Sequence, residues 1–246
     1  MEERLDRIAD NTRPKQSFNL VVSNNTNPVI TTFTSPLMLN PKYNYEIALL
    51  SLDTYYTFPN INEDNNAFRY KKGDSAWKDI KLPIGCYEIA GIREETFRQV
   101  GNETDIVFTS NRNTLKCMIH IEKGYVVDFG VKNSIASVLG FKEEQYSAGY
   151  HSGEYLVNIL QVNSILVHVD IAKNSYIKGE ISPVVYNFFP NVSPGVKIIQ
   201  IPKNLVYLPI TSNYIYSMKV WLTDQNNRIL DLQGEQLTIR FHMREC

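Results

Sequence analysis

From Ser17 to Glu245 short runs of β-branched and aromatic residues follow one another, separated by Pro, Asn and Gly turns, and no helix recurs between them. A parallel sheet needs a crossover segment, usually a helix, between strands. Its absence, with turns every ~8–12 residues, points to an all-β antiparallel sandwich or barrel. The last run shows the pattern most clearly. Leu237, Ile239, Phe241 and Met243 share one face, while Thr238, Arg240, His242 and Arg244 share the other, as expected for a strand with one side in a core. The same alternation puts Leu115, Cys117, Ile119 and Ile121 opposite Lys116, Met118 and His120.

Further strands are predicted at Phe18–Val22, Val29–Phe33, Ala67–Tyr70, Trp77–Ile80, Cys86–Ile89, Asp105–Thr109 and Tyr125–Phe129. Tyr43–Tyr56 is nearly continuous in apolar residues, so it reads as a strand buried on both sides or bent between sheets. In the second half the runs are Leu156–Ile171, Val184–Phe189, Val196–Ile201 and Leu205–Leu208. Tyr214–Thr223, Ile229–Leu232 and Leu237–Met243 read as a closing antiparallel meander. Two short helices are expected: Glu94–Val100 ended by Gly101, and Asn133–Phe141 capped by Ser134 and closed by Gly140. Residues 1–16 form a separate charged arm, in which Leu5 and Ile8 mark one apolar side, and 17–246 form one domain.

With hydrophobic residues at 43% and charged residues at 21%, a packed core is expected rather than disorder. A net charge of −1 argues against a nucleic-acid coat or a polybasic membrane binder. The small basic–aromatic group Arg69, Tyr70, Lys71, Lys72 and Trp77 is diluted by Asp64, Asp74 and Asp79, so it reads as a solvated loop and direct nucleic-acid binding is not expected. No apolar stretch reaches the ~20 residues of a membrane helix, and the charged start is unlike a signal peptide. Cys86, Cys117 and Cys246 are scattered and odd in number, which suggests free thiols in a reducing compartment.

The search for chemistry yields no constellation. There is no HExxH, no Gly-rich phosphate loop and no GxSxG. His120, His168 and His242 fall on the less apolar faces of their strands, where surface or interface positions are expected. Glu46 and Asp170 lie in apolar strands, pointing outward or accepting a backbone hydrogen bond. Neither catalytic residues nor a cofactor or metal site is expected. What stands out are two aromatic clusters that run into a proline: Tyr55, Tyr56 and Phe58 before Pro59, and Tyr186, Phe188 and Phe189 before Pro190. Large aromatics at strand ends suit a subunit interface. With Leu5 and Ile8 of the arm, they are the candidate contact residues.

Taken in order, YNYEIALLSLDTYYTFPNI, LPIGCYEI, NSIASVLGF, VNILQVNSILVHVDI, PVVYNFFP, LVYLPI and VWLTDQNNRILDLQGEQLTIRFHMRE resemble the capsid jelly-roll proteins of Maverick/Polinton elements and adintovirus-like DNA viruses, which also persist as endogenous viral elements. The resemblance covers nearly all of the chain from Phe18 to Glu245 and lies in the order of segments rather than in one motif. It implies a jelly-roll β-sandwich with elaborated loops and a structural role in the virion. The chain length favours a single jelly roll of the penton, or minor capsid, type. A compact double jelly roll of the major capsid type is the alternative. The implied partners are further copies of itself, a pentamer or alternatively a trimer, and other capsid proteins. The protein would be made in the host cytoplasm, with assembly there or in the nucleus. A β-sandwich binding module from outside viruses is the rival reading.

Overall fold

The computed structural model describes residues 15–159, 161–177 and 179–246; Leu5 and Ile8 of the expected arm lie outside them. The chain divides into two compact units, one comprising the chain up to Tyr56 together with Asn163–Cys246, the other Thr57–Val162. Within the span expected as one domain, the second unit is therefore an insertion into the first.

The first unit holds eight principal strands: β1 (Ser17–Asn24), β2 (Val29–Met38), β3 (Tyr45–Tyr55), β9 (Ile165–Val169), β12 (Val184–Phe188), β13 (Lys197–Gln200), β15 (Tyr214–Thr223) and β16 (Leu237–Glu245). One sheet has the order β1-β16-β3-β13, with the two-residue β14 (Leu208–Pro209) also pairing with β3; the other has the order β12-β9-β15-β2. Lettered B to I along the chain, these are B-I-D-G and C-H-E-F, the order of an antiparallel jelly roll. A small hairpin of β10 (Ser175–Ile177) and β11 (Glu180–Ser182) stands between β9 and β12.

The last strand follows its alternation: Leu237, Ile239, Phe241 and Met243 are fully buried, while Arg240 and Arg244 are exposed. Phe241 lies in register between Leu20 and Leu49 of the neighbouring strands. In the other sheet Val167, Val169, Met218, Val220 and Leu222 are equally buried, so each sheet contributes one apolar face to the core.

Two expectations fail here. The closing meander does not form, because Tyr214–Thr223 pairs with β2 and β9 whereas Leu237–Glu245 pairs with β1 and β3. The chain crosses between sheets through Asp224–Gln236, where Ile229 makes only an isolated bridge to Thr223. The turn there closes on backbone bonds from the Asp224 N–H to the Arg228 carbonyl and from the Leu230 N–H to the Leu222 carbonyl, with Asn27 Nδ2 donating to the Leu222 and Leu230 carbonyls beside them. The second failure is the long run Leu156–Ile171, in which, among the described residues, only Ile165–Val169 is strand. Upstream, the Val157 and Asn158 amides donate to the carbonyls of Leu115 and Val138, which holds Val157 and Ile159 partly buried on irregular chain.

The second unit is one five-stranded antiparallel sheet, β5-β4-β7-β6 with β8 also on β7. Its strands are β4 (Ala67–Lys72), β5 (Lys78–Lys81), β6 (Ile106–Asn111), β7 (Lys116–Asp128) and β8 (Gln145–Ser152). The first half of β7 pairs with β6 and the second half with β4. Helix α1 (Ile89–Val100) ends at Gly101, whose φ of 89° suits glycine. Cys86–Ile89 is not a strand: Gly85 bridges to Ile61 and the helix starts directly after Glu88. The short α2 (Ala136–Leu139) is closed by Gly140, where a Cβ would collide with the Tyr155 carbonyl.

Aromatic rings fill this unit's own core. Phe68 meets Phe108 edge-on with centroids 5.9 Å apart, and Phe129 stacks on Phe141 at 5.4 Å. Cys117, Ile119 and Ile121 face it as expected, but Leu115 sits in the turn before β7 with φ 55° and is 63% exposed. β8 at Gln145–Ser152 is not among the strands expected from the sequence; its Tyr146, Ala148 and Tyr150 alternate with small and polar residues, but none of the eight is fully buried. Among the described residues there is one jelly roll, since the second unit forms a single sheet.

Candidate assembly surface

At the end of β3 the backbone alternates sharply: Thr54 is buried, Tyr55 is 37% exposed and Tyr56 is buried again. Phe58 is buried as well. At the end of β12, Phe188 is buried and Phe189 is 70% exposed. Tyr186 is half-buried, stacks on Phe188 at 6.3 Å, and its hydroxyl accepts a hydrogen bond from Gln200 Nε2 at 3.0 Å. Each aromatic cluster therefore divides between core and solvent. Tyr55 and Phe189, joined in part by Tyr186, are available to a partner; Tyr56, Phe58 and Phe188 are packing residues of the chain itself.

Further exposed apolar residues lie outside the two aromatic clusters, on both sheets. Tyr214 of β15 stands opposite Met38 of β2, both more than half exposed, and the Tyr214 ring is 5.7 Å from that of Tyr216. Ile30 on β2 is also 60% exposed. Around β13, Val196, Ile199, Ile201, Leu205 and Val206 are all exposed. The available signal was their placement in strands whose alternate residues are strongly apolar: in Val196–Ile201 both faces are apolar, yet an end strand of a sandwich buries only one.

The histidines separate. His242 is held between hydroxyls, with Nε2 2.6 Å from Ser17 Oγ and Nδ1 2.7 Å from Tyr207 Oη. Beside it Arg244 lies over the Tyr207 ring at 3.6 Å and pairs with Glu46 at 2.6 Å. This network joins β1, β3, β16 and the chain before β14 on the outer face. His120 is half-buried and packs on the exposed Tyr150 at 4.3 Å. His168 corrects the expectation of a surface position, since it is only 2% exposed. Its Nε2 is 2.9 Å from Thr223 Oγ1, its ring stacks on Trp221 at 4.9 Å, and its Nδ1 has no partner among the described residues. Burial pushes its pKa down to about 4.

Glu46 turns outward to Arg244, and Asp170 Oδ1 accepts from the Lys219 amide at 3.0 Å. The basic–aromatic group is ordered rather than loosely solvated: Arg69 and Lys71 lie over the Trp77 ring at 4.7 and 5.0 Å. Arg69 also pairs with Asp128 at 2.7 Å. Burial alone would raise the Asp128 pKa, but the Arg69 guanidinium, the Gly130 amide and Gln145 outweigh it and hold the carboxyl below its ordinary range. The cysteines are free; Cys117 is fully buried and its thiol is pushed up to about 12, Cys86 is half-buried, and Cys246 is exposed. Among the described residues no group of three or more His, Cys, Asp or Glu side chains could hold a metal ion. None of the described helices is long and apolar enough to cross a membrane.

No protein-family profile and no curated protein matches this chain. Among solved structures it is similar to the penton protein of mavirus, with 12% identity and a TM-score of 0.49, over 95% of this chain and 100% of that one.

Proposed function

We propose that this chain is a structural capsid subunit of the penton type, a component of the virion that self-assembles by symmetric contacts and meets other capsid proteins. Fold alone does not carry a function. The observation that carries the reading is a set of exposed apolar groups on the jelly-roll unit: Tyr55 with the Val196–Val206 segment whose strand pairs beside it, the Met38–Tyr214–Tyr216 group on the other sheet, and Phe189. Exposed large apolar side chains suit subunit contacts, and they accompany a segment order that resembles that of Maverick/Polinton capsid proteins. Specific association needs roughly 800 Å² buried on each partner, with a few large aromatics contributing most.

Light scattering on the purified protein tests the reading, with a pentamer as the expected mass. Tyr55→Ser, Phe189→Ser and Tyr216→Ser should lower that mass while the β-rich circular dichroism spectrum is retained. A trimer would shift the assignment to the major-capsid type. A strict monomer across a wide range of concentration and salt, recruited by no capsid protein, would reject the capsid reading in favour of a binding module.

A further inference from the structure

We propose that the free edge of β13 is where a second copy of this chain adds its β1 strand, antiparallel and head-to-tail, so that the β1-β16-β3-β13 sheet continues from subunit to subunit. This deepens the proposed self-assembly and rests on that reading.

The topology supplies both halves of the contact. β1 and β13 terminate the same sheet, and among the described residues β1 pairs with β16 alone and β13 with β3 alone. Every pairing in the sheet is antiparallel, so β1 runs with β3 and against β13. A second copy in the same orientation therefore presents β1 to β13 with the direction that an antiparallel ladder requires. Because two different edges meet, the contact is heterologous, and such contacts generate rings when the rotation closes.

β1 carries none of the devices that usually keep sheet edges from pairing, and β13 carries only its short length and Lys197. Charged side chains, proline and bulges normally blunt them. Ser17–Asn24 contains no charge and no proline, and Val21 is 59% exposed. The segment 196–201 has one charge, Lys197, and no proline, while Ile199 and Ile201 are 60% and 65% exposed. A four-residue strand alone contributes little area, but Leu205 and Val206 extend the exposed apolar surface beside it.

Charge selects β1 over a second β13 as the occupant. The end of β1 adjoins the acidic loop before β16: Gln236 Nε2 donates to Ser23 Oγ at 2.6 Å, and Glu235 and Asp231 stand just upstream. In an antiparallel pairing the start of β13 meets the end of β1, which brings Lys197 toward Glu235 and Asp231 of the other copy. A β13–β13 pairing would instead gather Lys197 and Lys203 from both copies. Opposite charges across an interface fix register and exclude the wrong partner.

The test uses the full chain, following mass by sedimentation across a concentration series, with circular dichroism to establish that each variant is folded. Ile199→Asp and Lys197→Glu should each weaken self-association by about tenfold or more, and Glu235→Lys by a smaller factor. Lys197→Glu combined with Glu235→Lys should recover much of the loss, which a merely structural role would not produce. In the assembled wild type, amides of 17–24 and 197–200 should exchange more slowly than in dilute monomer. Assembly that is indifferent to Ile199→Asp, with no protection on either strand, would overturn the edge contact and leave the capsid reading in place. A wild type that never associates would overturn both.

Discussion

The two units reach stability by different routes. In the jelly-roll unit, Ser17 pairs with Arg244, so its first described strand is completed by its last. In the inserted unit every strand pairing lies between Ala67 and Ser152, around a core of its own. Pairing of distant segments costs loop-closure entropy before it stabilises, whereas nearby segments pair more readily. A contiguous piece with a private core can therefore occupy the β3–β9 connection without contributing a strand to either sandwich sheet. Their buried polar groups differ as well. The inserted unit pairs Tyr125 with Asp105 and Arg69 with Asp128 and leaves Asn66 Oδ1 without a partner among the described residues, while the jelly-roll unit does the same with Thr54 Oγ1 and with Nδ1 of the buried His168.

Core truncation gives the largest effect. Phe241→Ala in the jelly roll and Phe129→Ala in the insert should each cost about 3–5 kcal/mol in urea melts. Cys117, buried in the insert, reports which unit opens. Phe129→Ala should accelerate its alkylation, while Phe241→Ala should not; equal acceleration by both would mean that the units unfold as one cooperative block. In the native protein Cys246 should be modified first, Cys86 more slowly and Cys117 last.

Acid should separate the units next. His168 has a folded pKa of about 4 against an ordinary 6.5, so the unfolded chain binds its proton first. Its contribution is fully present above pH 6.5 and is lost as pH falls toward 4, by up to ~3 kcal/mol. The Asp128 carboxyl, held below its ordinary 3.8, is stabilising above that value and loses its effect only as pH falls through the lower folded pKa. Melts at intervals between pH 7 and 4 should therefore weaken the jelly roll while Cys117 stays protected. His168→Gln should flatten that part of the dependence; an unchanged slope would remove His168 as its source.

Smaller effects sharpen the same contrast. Tyr125→Phe leaves the buried Asp105 carboxylate without its hydroxyl partner and should cost about 1–3 kcal/mol. Thr238→Ala, which removes a hydroxyl contact with Ser23 on the outer face of the jelly roll, should stay within about 1 kcal/mol. A loss from Thr238→Ala as large as that from Phe241→Ala would mean that β16 is covered on both faces.

Much of the fold was legible because strand burial has period two. That pattern by itself assigned Leu237, Ile239, Phe241 and Met243 to a core face and Cys117, Ile119 and Ile121 to another, and the segment order pointed to a jelly roll. Gly101 and Gly140 marked both helix ends because their backbone conformation favours glycine. Period two does not say which strands are neighbours, so only the tertiary structure placed Tyr214–Thr223 and Leu237–Glu245 in different sheets. β8 was hard to see for a related reason: none of its residues is fully buried, and apart from Tyr146, whose ring packs on Phe129 and Phe141, its place comes from backbone bonds to β7. The candidate contact residues divide in the same way. Aromatic residues before Pro59 and Pro190 announced themselves by type, but burial depends on what packs against each face, and that separated Tyr55 and Phe189 from Tyr56, Phe58 and Phe188. His168 lies on the face that its strand's alternation leaves outward, and only the stacked Trp221 and the hydroxyl of Thr223 made that position an interior one.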